Sequence, residues 1–254
     1  MAAGLDRSLA PQNGAPFLEI AGLTKLFGGV RAVDDVDLVL GADEMRCVIG
    51  PNGCGKTTLF NLITGTLPPT AGTIRFAGRD IPGRPLHEIA RAGIVRKFQV
   101  PAIFAGLTVA DNLRDAFAAR PRERAAKAGD LDRLLLTVRL DRLRDQVAGT
   151  LSHGQKQWLE LAMVLAAGPR LILLDEPAAG MTRAEKTETV RLIQTIRAET
   201  AVAALVIEHD MDFVEALECP VAVMIMGKMV AFGSFEAVRN DRQVRDAYFG
   251  TIRV

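Results

Sequence analysis

The sequence predicts an α/β fold organised on a parallel sheet, and three observations carry that prediction. Beyond Gly168-Pro169, apolar runs of strand length alternate with amphipathic stretches of helical spacing, the pattern of strands joined by crossover helices. Near residue 50, a glycine-rich loop lies between a strand-like run and a run of good helix formers. From about residue 85 to 167 the chain mostly carries apolar side chains three and four apart, as helices do.

In chain order, Phe17 to Ile20, Val36 to Leu40 and Met45 to Ile49 are short apolar runs that read as strands, the third running straight into the glycine-rich loop. Lys56 to Ile63 reads as a helix that stops at Gly65, ahead of Pro68-Pro69. Thr73 to Phe76 is a further strand. The middle stretch, with helical spacing in Leu131 to Leu140 and Trp158 to Leu165, is expected to form a helical subdomain of about 85–167. Strands Leu171 to Leu174, Ala203 to Ile207 and Val221 to Met226 follow, separated by helices such as Arg183 to Glu199. Met226-Gly227-Lys228-Met229 resembles a hairpin turn, and Ser234 to Arg239 and Asp241 to Tyr248 close the chain as short helices. Residues 1–15 are expected to be a flexible tail and 16–254 one domain, without internal repeats or low-complexity segments.

Composition narrows the function classes. A chain of 254 residues with 49% hydrophobic content can bury a sizeable core. Its 31 basic and 30 acidic residues nearly cancel, so no nucleic-acid or anionic-membrane surface is expected. Apolar stretches fall far short of the roughly 20 residues that span a bilayer. The opening segment has no apolar signal-peptide core, so the chain is expected to stay in the cytosol. Cys47, Cys54 and Cys219 have no metal-ligand spacing, which fits reduced thiols and neither disulfide nor structural zinc.

Gly50-Pro51-Asn52-Gly53-Cys54-Gly55-Lys56-Thr57-Thr58 matches the pattern G-x-x-x-x-G-K-[ST]. With average glycine usage, such a match arises by chance in roughly one protein of this length in a hundred. Strand before and helix after supply the context in which the pattern works. Glycines let backbone N–H groups curl around phosphates, and the helix start adds positive potential. Lys56 is expected on the β- and γ-phosphates, Thr57 on Mg²⁺, and Thr58 as a second hydroxyl nearby. Cys54, beside a helix start, is expected to have a lowered pKa and to react readily. Leu171 to Leu174 then delivers Asp175 and Glu176 at a strand end, where parallel sheets bind ligands. Asp175 is expected in the Mg²⁺ shell and Glu176 beside the attacking water.

Leu151-Ser152-His153-Gly154-Gln155 resembles the signature sequence of ATP-binding cassette (ABC) ATPases. Physically, Ser152 reads as an N-cap, and Gly154 leaves the backbone of the following helix open to an anion. The resemblance spans Phe17 to about Gly250 and implies a RecA-like P-loop core with a mixed sheet, an antiparallel β subdomain and a helical subdomain. It also implies that Ser152, Gly154 and Gln155 hold the γ-phosphate of ATP carried by a second ATPase subunit. Gln99 matches the glutamine that contacts Mg²⁺ and water and links the site to a membrane partner. His209 matches the switch histidine on the γ-phosphate, and Phe27 the aromatic that stacks on adenine. Thr182 stands where many cassette proteins carry an aspartate that communicates across the dimer.

Within that family, Gly93 to Pro101 and Leu151 to Glu160 look like the urea importer ATPases, relatives of the branched-chain amino acid importers, and Asp175 to Met181 is similar to both. The resemblance thus implies ATP and Mg²⁺ as cofactors, ABC permease subunits as partners, a heterodimeric ATPase pair in preference to a homodimer, and a solute-binding protein acting indirectly. Its place would be peripheral, on the cytoplasmic face of the bacterial inner membrane, with the face around Gln99 to Phe104 on the permease. Alternatives are the same role for a branched-chain amino acid or short-chain amide, a soluble ATPase of the same superfamily, or a nucleotide sensor without turnover.

Overall fold

The computed structural model describes residues 16–97, 103–120 and 127–249. The expected tail over residues 1–15 lies outside them. Two antiparallel strands open the chain, β1 (Leu18–Phe27) and β2 (Val30–Leu40), paired from Leu18 opposite Leu40 to Phe27 opposite Val30. Both outrun their apolar cores because the hairpin ladder carries the half-exposed outer residues. β3 (Met45–Ile49) and α1 (Lys56–Ile63) follow with the expected bounds. β4 (Ala71–Phe76) pairs with β1, and β5 (Arg79–Asp80) completes a four-stranded sheet in the order β2-β1-β4-β5.

The helix α2 (Leu86–Ala92) ends at Gly93, whose φ of 110° only glycine adopts readily, and β6 (Ile94–Lys97) follows at once. β6 therefore interrupts the stretch expected to be helical, because four residues are too few for a strand period to register. The helices α3 (Val109–Ala118), α4 (Asp130–Thr137) and α5 (His153–Ala166) come next. α4 stops short of the expected Leu140, since Arg139 takes a left-handed φ of 56° and turns Leu140 into the core.

Five further elements alternate: β7 (Leu171–Asp175), α6 (Arg183–Glu199), β8 (Ala203–Ile207), α7 (Met211–Ala216) and β9 (Val221–Ile225). β10 (Lys228–Gly233), α8 (Phe235–Asn240) and α9 (Arg242–Phe249) close the chain. The second sheet is six-stranded, in the order β10-β9-β3-β8-β7-β6. Its inner pairings are parallel, whereas β10 is antiparallel to β9. The Met226-Gly227 turn between them has positive φ at both residues, the twist a two-residue hairpin needs.

Alternation along the parallel strands feeds two cores. Cys47, Ile49, Ile172, Leu174, Ala204 and Val206 pack with the helical part and α6, while Val48, Leu171, Leu173, Leu205 and Ile207 pack with α1 and the antiparallel sheet. Burial on both faces explains why these strands read as continuous apolar runs. On the first face Cys47 and Cys219 meet as free thiols, their Sγ atoms 3.4 Å apart. Replacing Leu173, fully buried between the sheets, by Ala should cost about 2–5 kcal/mol, read as a lower denaturant midpoint at constant slope. A loss under about 1 kcal/mol would show that this layer is not close-packed there.

Candidate nucleotide site

The loop from Gly50 to Gly55 is shaped by backbone that passes too close for side chains. A Cβ on Gly50 would meet the Met224 carbonyl oxygen at 2.1 Å, and one on Gly55 the Ala32 carbonyl oxygen at 2.0 Å. Gly55 also holds φ at 108° as it starts α1. The Gly227 N–H donates to the Cys54 carbonyl at 2.9 Å, so the β9–β10 turn pins the loop from outside. Lys56 is buried, with Nζ donating to the carbonyls of Gly50 at 2.7 Å and Pro51 at 3.0 Å. Its ammonium thus lies along the loop that the sequence assigns to phosphate, at the start of a helix whose dipole has the same sign.

At the carboxyl ends of β7 and β8 the acids gather. Asp175 Oδ2 accepts from Arg96 on β6, and Arg96 Nη1 donates to Asn61 Oδ1 of α1 at 2.6 Å. Glu176 follows with a left-handed φ of 47°, a conformation costing about 1–2 kcal/mol for a side-chain-bearing residue. Its N–H donates to the Ile207 carbonyl at 2.9 Å, and Oε1 lies 3.5 Å from His209 Nδ1. The strain therefore sets a carboxylate beside an imidazole at the sheet edge. Buried Glu208 braces both loops: Oε1 accepts from the Ala178 N–H at 2.9 Å and Oε2 from the His209 N–H at 2.9 Å.

Phe27 closes β1 and is 46% exposed, next to the exposed apolar side chains of Leu26 and Val30, which suits stacking against a flat base. Ser152 caps α5 as expected: its Oγ accepts from the Gln155 N–H, and Gln155 Oε1 accepts from the Ser152 N–H at 2.9 Å. The start of α5 lies against residues 179–185, with His153 Nε2 3.1 Å from the Ala179 carbonyl oxygen and the Gly154 N–H donating to Glu185 Oε1.

Arg96, Glu208 and Glu185 were not singled out from sequence. Each is a charged residue beside an expected site residue in space, and only the end position of Glu208 after an apolar strand could have flagged it. Gln99 lies outside the described residues. Mg²⁺ binds through one or two protein oxygens together with phosphates and water; a Thr57 hydroxyl and an Asp175 carboxylate are oxygen donors of that kind, the carboxylate being also paired with Arg96.

A phosphate loop carrying its own lysine, with paired acids at the adjoining strand end, belongs to the P-loop nucleotide hydrolases. The family model described as ABC transporter matches residues 33–179. The chain is 38% identical over 253 residues to the high-affinity branched-chain amino acid transport ATP-binding protein BraF of Pseudomonas aeruginosa, covering 92% of this chain and 98% of that one. It is 37% identical over 250 residues to LivG of Escherichia coli, covering 92% and 98%, a protein of the same description. The lipopolysaccharide export system ATP-binding protein LptB of Escherichia coli is 34% identical, covering 90% and 95%. The ADP conformation of MJ1267, an ATP-binding cassette of an ABC transporter, superposes with a TM-score of 0.80 at 29% identity, covering 93% of this chain and 100% of that one. This chain belongs to the ABC transporter family, as an ATP-binding subunit that binds ATP with Mg²⁺ and hydrolyses it.

One expectation is corrected. Cys54 is buried, and burial pushes its thiol above the ordinary value despite Lys56, whose Nζ lies 3.8 Å from Sγ. Loss of water outweighs the helix start and the ammonium. Iodoacetamide should therefore modify native Cys54 more slowly than a free thiol at pH 8, as followed by mass spectrometry; modification at the free-thiol rate would restore the expectation of a lowered pKa.

Proposed function

We propose that this chain energises a solute importer in the bacterial inner membrane, as one of two ATPase subunits that close on ATP and part after hydrolysis. The observation that carries the catalytic assignment is Glu176 beside His209, one residue beyond Asp175. Lys56 neutralises charge on the β- and γ-phosphates, and the loop from Gly50 to Thr58 cradles them. Glu176 orients the attacking water while His209 reads the γ-phosphate. Thr57, Asp175 and Gln99 hold Mg²⁺, which offsets the charge of the phosphates when bound. Phe27 stacks on adenine. Ser152, Gly154 and Gln155 face the γ-phosphate of the nucleotide on the other ATPase subunit, which we take to be a different chain.

Among the described residues no helix is long and apolar enough to cross a membrane, which supports docking on separate permease subunits. Phe104, Leu107 and Val147 are exposed apolar side chains on the helical part, the first two soon after Gln99 in the sequence, and we assign the permease contact to them. The cytoplasmic face follows from where ATP is. A solute-binding protein would act from the other side, without touching this chain.

For the cargo we favour urea. The two segments that resemble urea importer ATPases meet in one buried cluster, where Lys97 Nζ pairs with Glu160 Oε2 at 3.0 Å and donates to Gln157 Oε1. The second reading is a branched-chain amino acid, which the descriptions of BraF and LivG favour.

Uptake of labelled urea and labelled leucine by cells carrying the wild-type chain or Lys56→Ala separates the two. Selective loss of urea uptake is the expected outcome; selective loss of leucine uptake would move the chain to the amino acid branch. Phe104→Asp should weaken copurification of membrane subunits while leaving ATP binding intact, since an aspartate would be desolvated in that contact. Equal loss of both would count against this face.

A further inference from the structure

One carboxylate outside the hydrolytic edge is tied to two helix starts. Glu185 Oε2 accepts from the Thr182 N–H at 3.0 Å and from the Thr182 hydroxyl at 2.9 Å, closing the capping box of α6. Glu185 Oε1 accepts from the Gly154 N–H at 3.2 Å and lies 3.5 Å from Ser152 Oγ, in the first turn of α5. The approach is close, since a Cβ on Gly154 would meet that oxygen at 2.4 Å. The Thr182 N–H, then its hydroxyl, hold the Glu185 carboxyl below the usual carboxylate range, so the group is an anion at neutral pH.

Ser152 Oγ and the Gly154 N–H are the donors assigned above to a γ-phosphate. We propose that Glu185 is a positioning residue that occupies them until the nucleotide of the other subunit displaces it, an inference that rests on that reading of α5. A carboxylate and a phosphate repel, and one N–H cannot serve both. Docking of the nucleotide therefore moves Glu185 off Gly154. Because the same carboxylate closes the Thr182 cap, the displacement reaches α6 and the segment between Glu176 and Thr182.

Glu185→Gln separates charge from structure, because glutamine also closes a capping box. The complex that copurifies from membranes with the tagged chain is assayed for turnover over a range of ATP concentrations. The variant should lower the half-saturating ATP concentration about tenfold at nearly unchanged maximal rate. Isolated chain should keep its ATP affinity and thermal midpoint. An unchanged or raised half-saturating concentration overturns the proposal, as does an equal shift in the affinity of the isolated chain, which would mark an effect on the fold. Unchanged turnover and half-saturating ATP concentration in the complex of Ser152→Ala would instead overturn the reading of α5 beneath it, and the proposal with it.

Discussion

The carbonyl oxygens of Ala32 and Met224 lie so close to the phosphate loop that Gly55 and Gly50 have no room for a Cβ. This packing sets the molecule's layout. Ala32 belongs to β2 of the antiparallel sheet and Met224 to β9 of the parallel one, so the loop is where the two sheets meet. The Gly227 N–H on the Cys54 carbonyl and the Asp34 N–H on the Gly227 carbonyl, both 2.9 Å, close the junction with hydrogen bonds. A loop clamped this way has little freedom left, and donors fixed before the ligand arrives need no reorganisation at the moment of reaction.

The edge where β7 and β8 end is built on the same principle with charges. Arg96, Asp175 and Glu208 are at most about a tenth exposed in their side chains, so each needs partners to remain charged. Arg96 joins α1, β6 and β7 through Asn61 and Asp175, and Glu208 joins the turns after β7 and β8. Buried ion pairs add little net stability, but removing one member leaves an uncompensated charge. Their effect is to fix geometry: Glu176 and His209 leave two different strands and still meet.

A second buried pair, Lys97 with Glu160, ties the strand before the Gln99 segment to α5. This helix is thereby fastened to the sheet at its middle, while Glu185 holds its first turn. The helix is thus held by buried charge in its middle and by a carboxylate at its tip. Glu185 also closes the capping box of α6 with Thr182, so one carboxylate joins the starts of the two helices.

The sequence by itself determined the parts governed by local chemistry. The bounds of β3, α1, α6 and β8 follow from runs of apolar residues, caps and glycines, and the phosphate-loop motif and the Ser152 cap were legible because spacing along the chain defines them. Tertiary structure decided what spacing cannot encode. β6 is four residues long and becomes a strand only because β7 offers its edge, α4 ends early because Arg139 turns, and Cys54 is held protonated by burial that no helix-start argument registers. Arg96, Glu208 and Glu185 act on partners 79, 30 and 31 residues away, so their meaning arises only when the sheet brings them together. A hydrogen bond or ion pair depends on distance in space, and a single sequence records distance only along the chain.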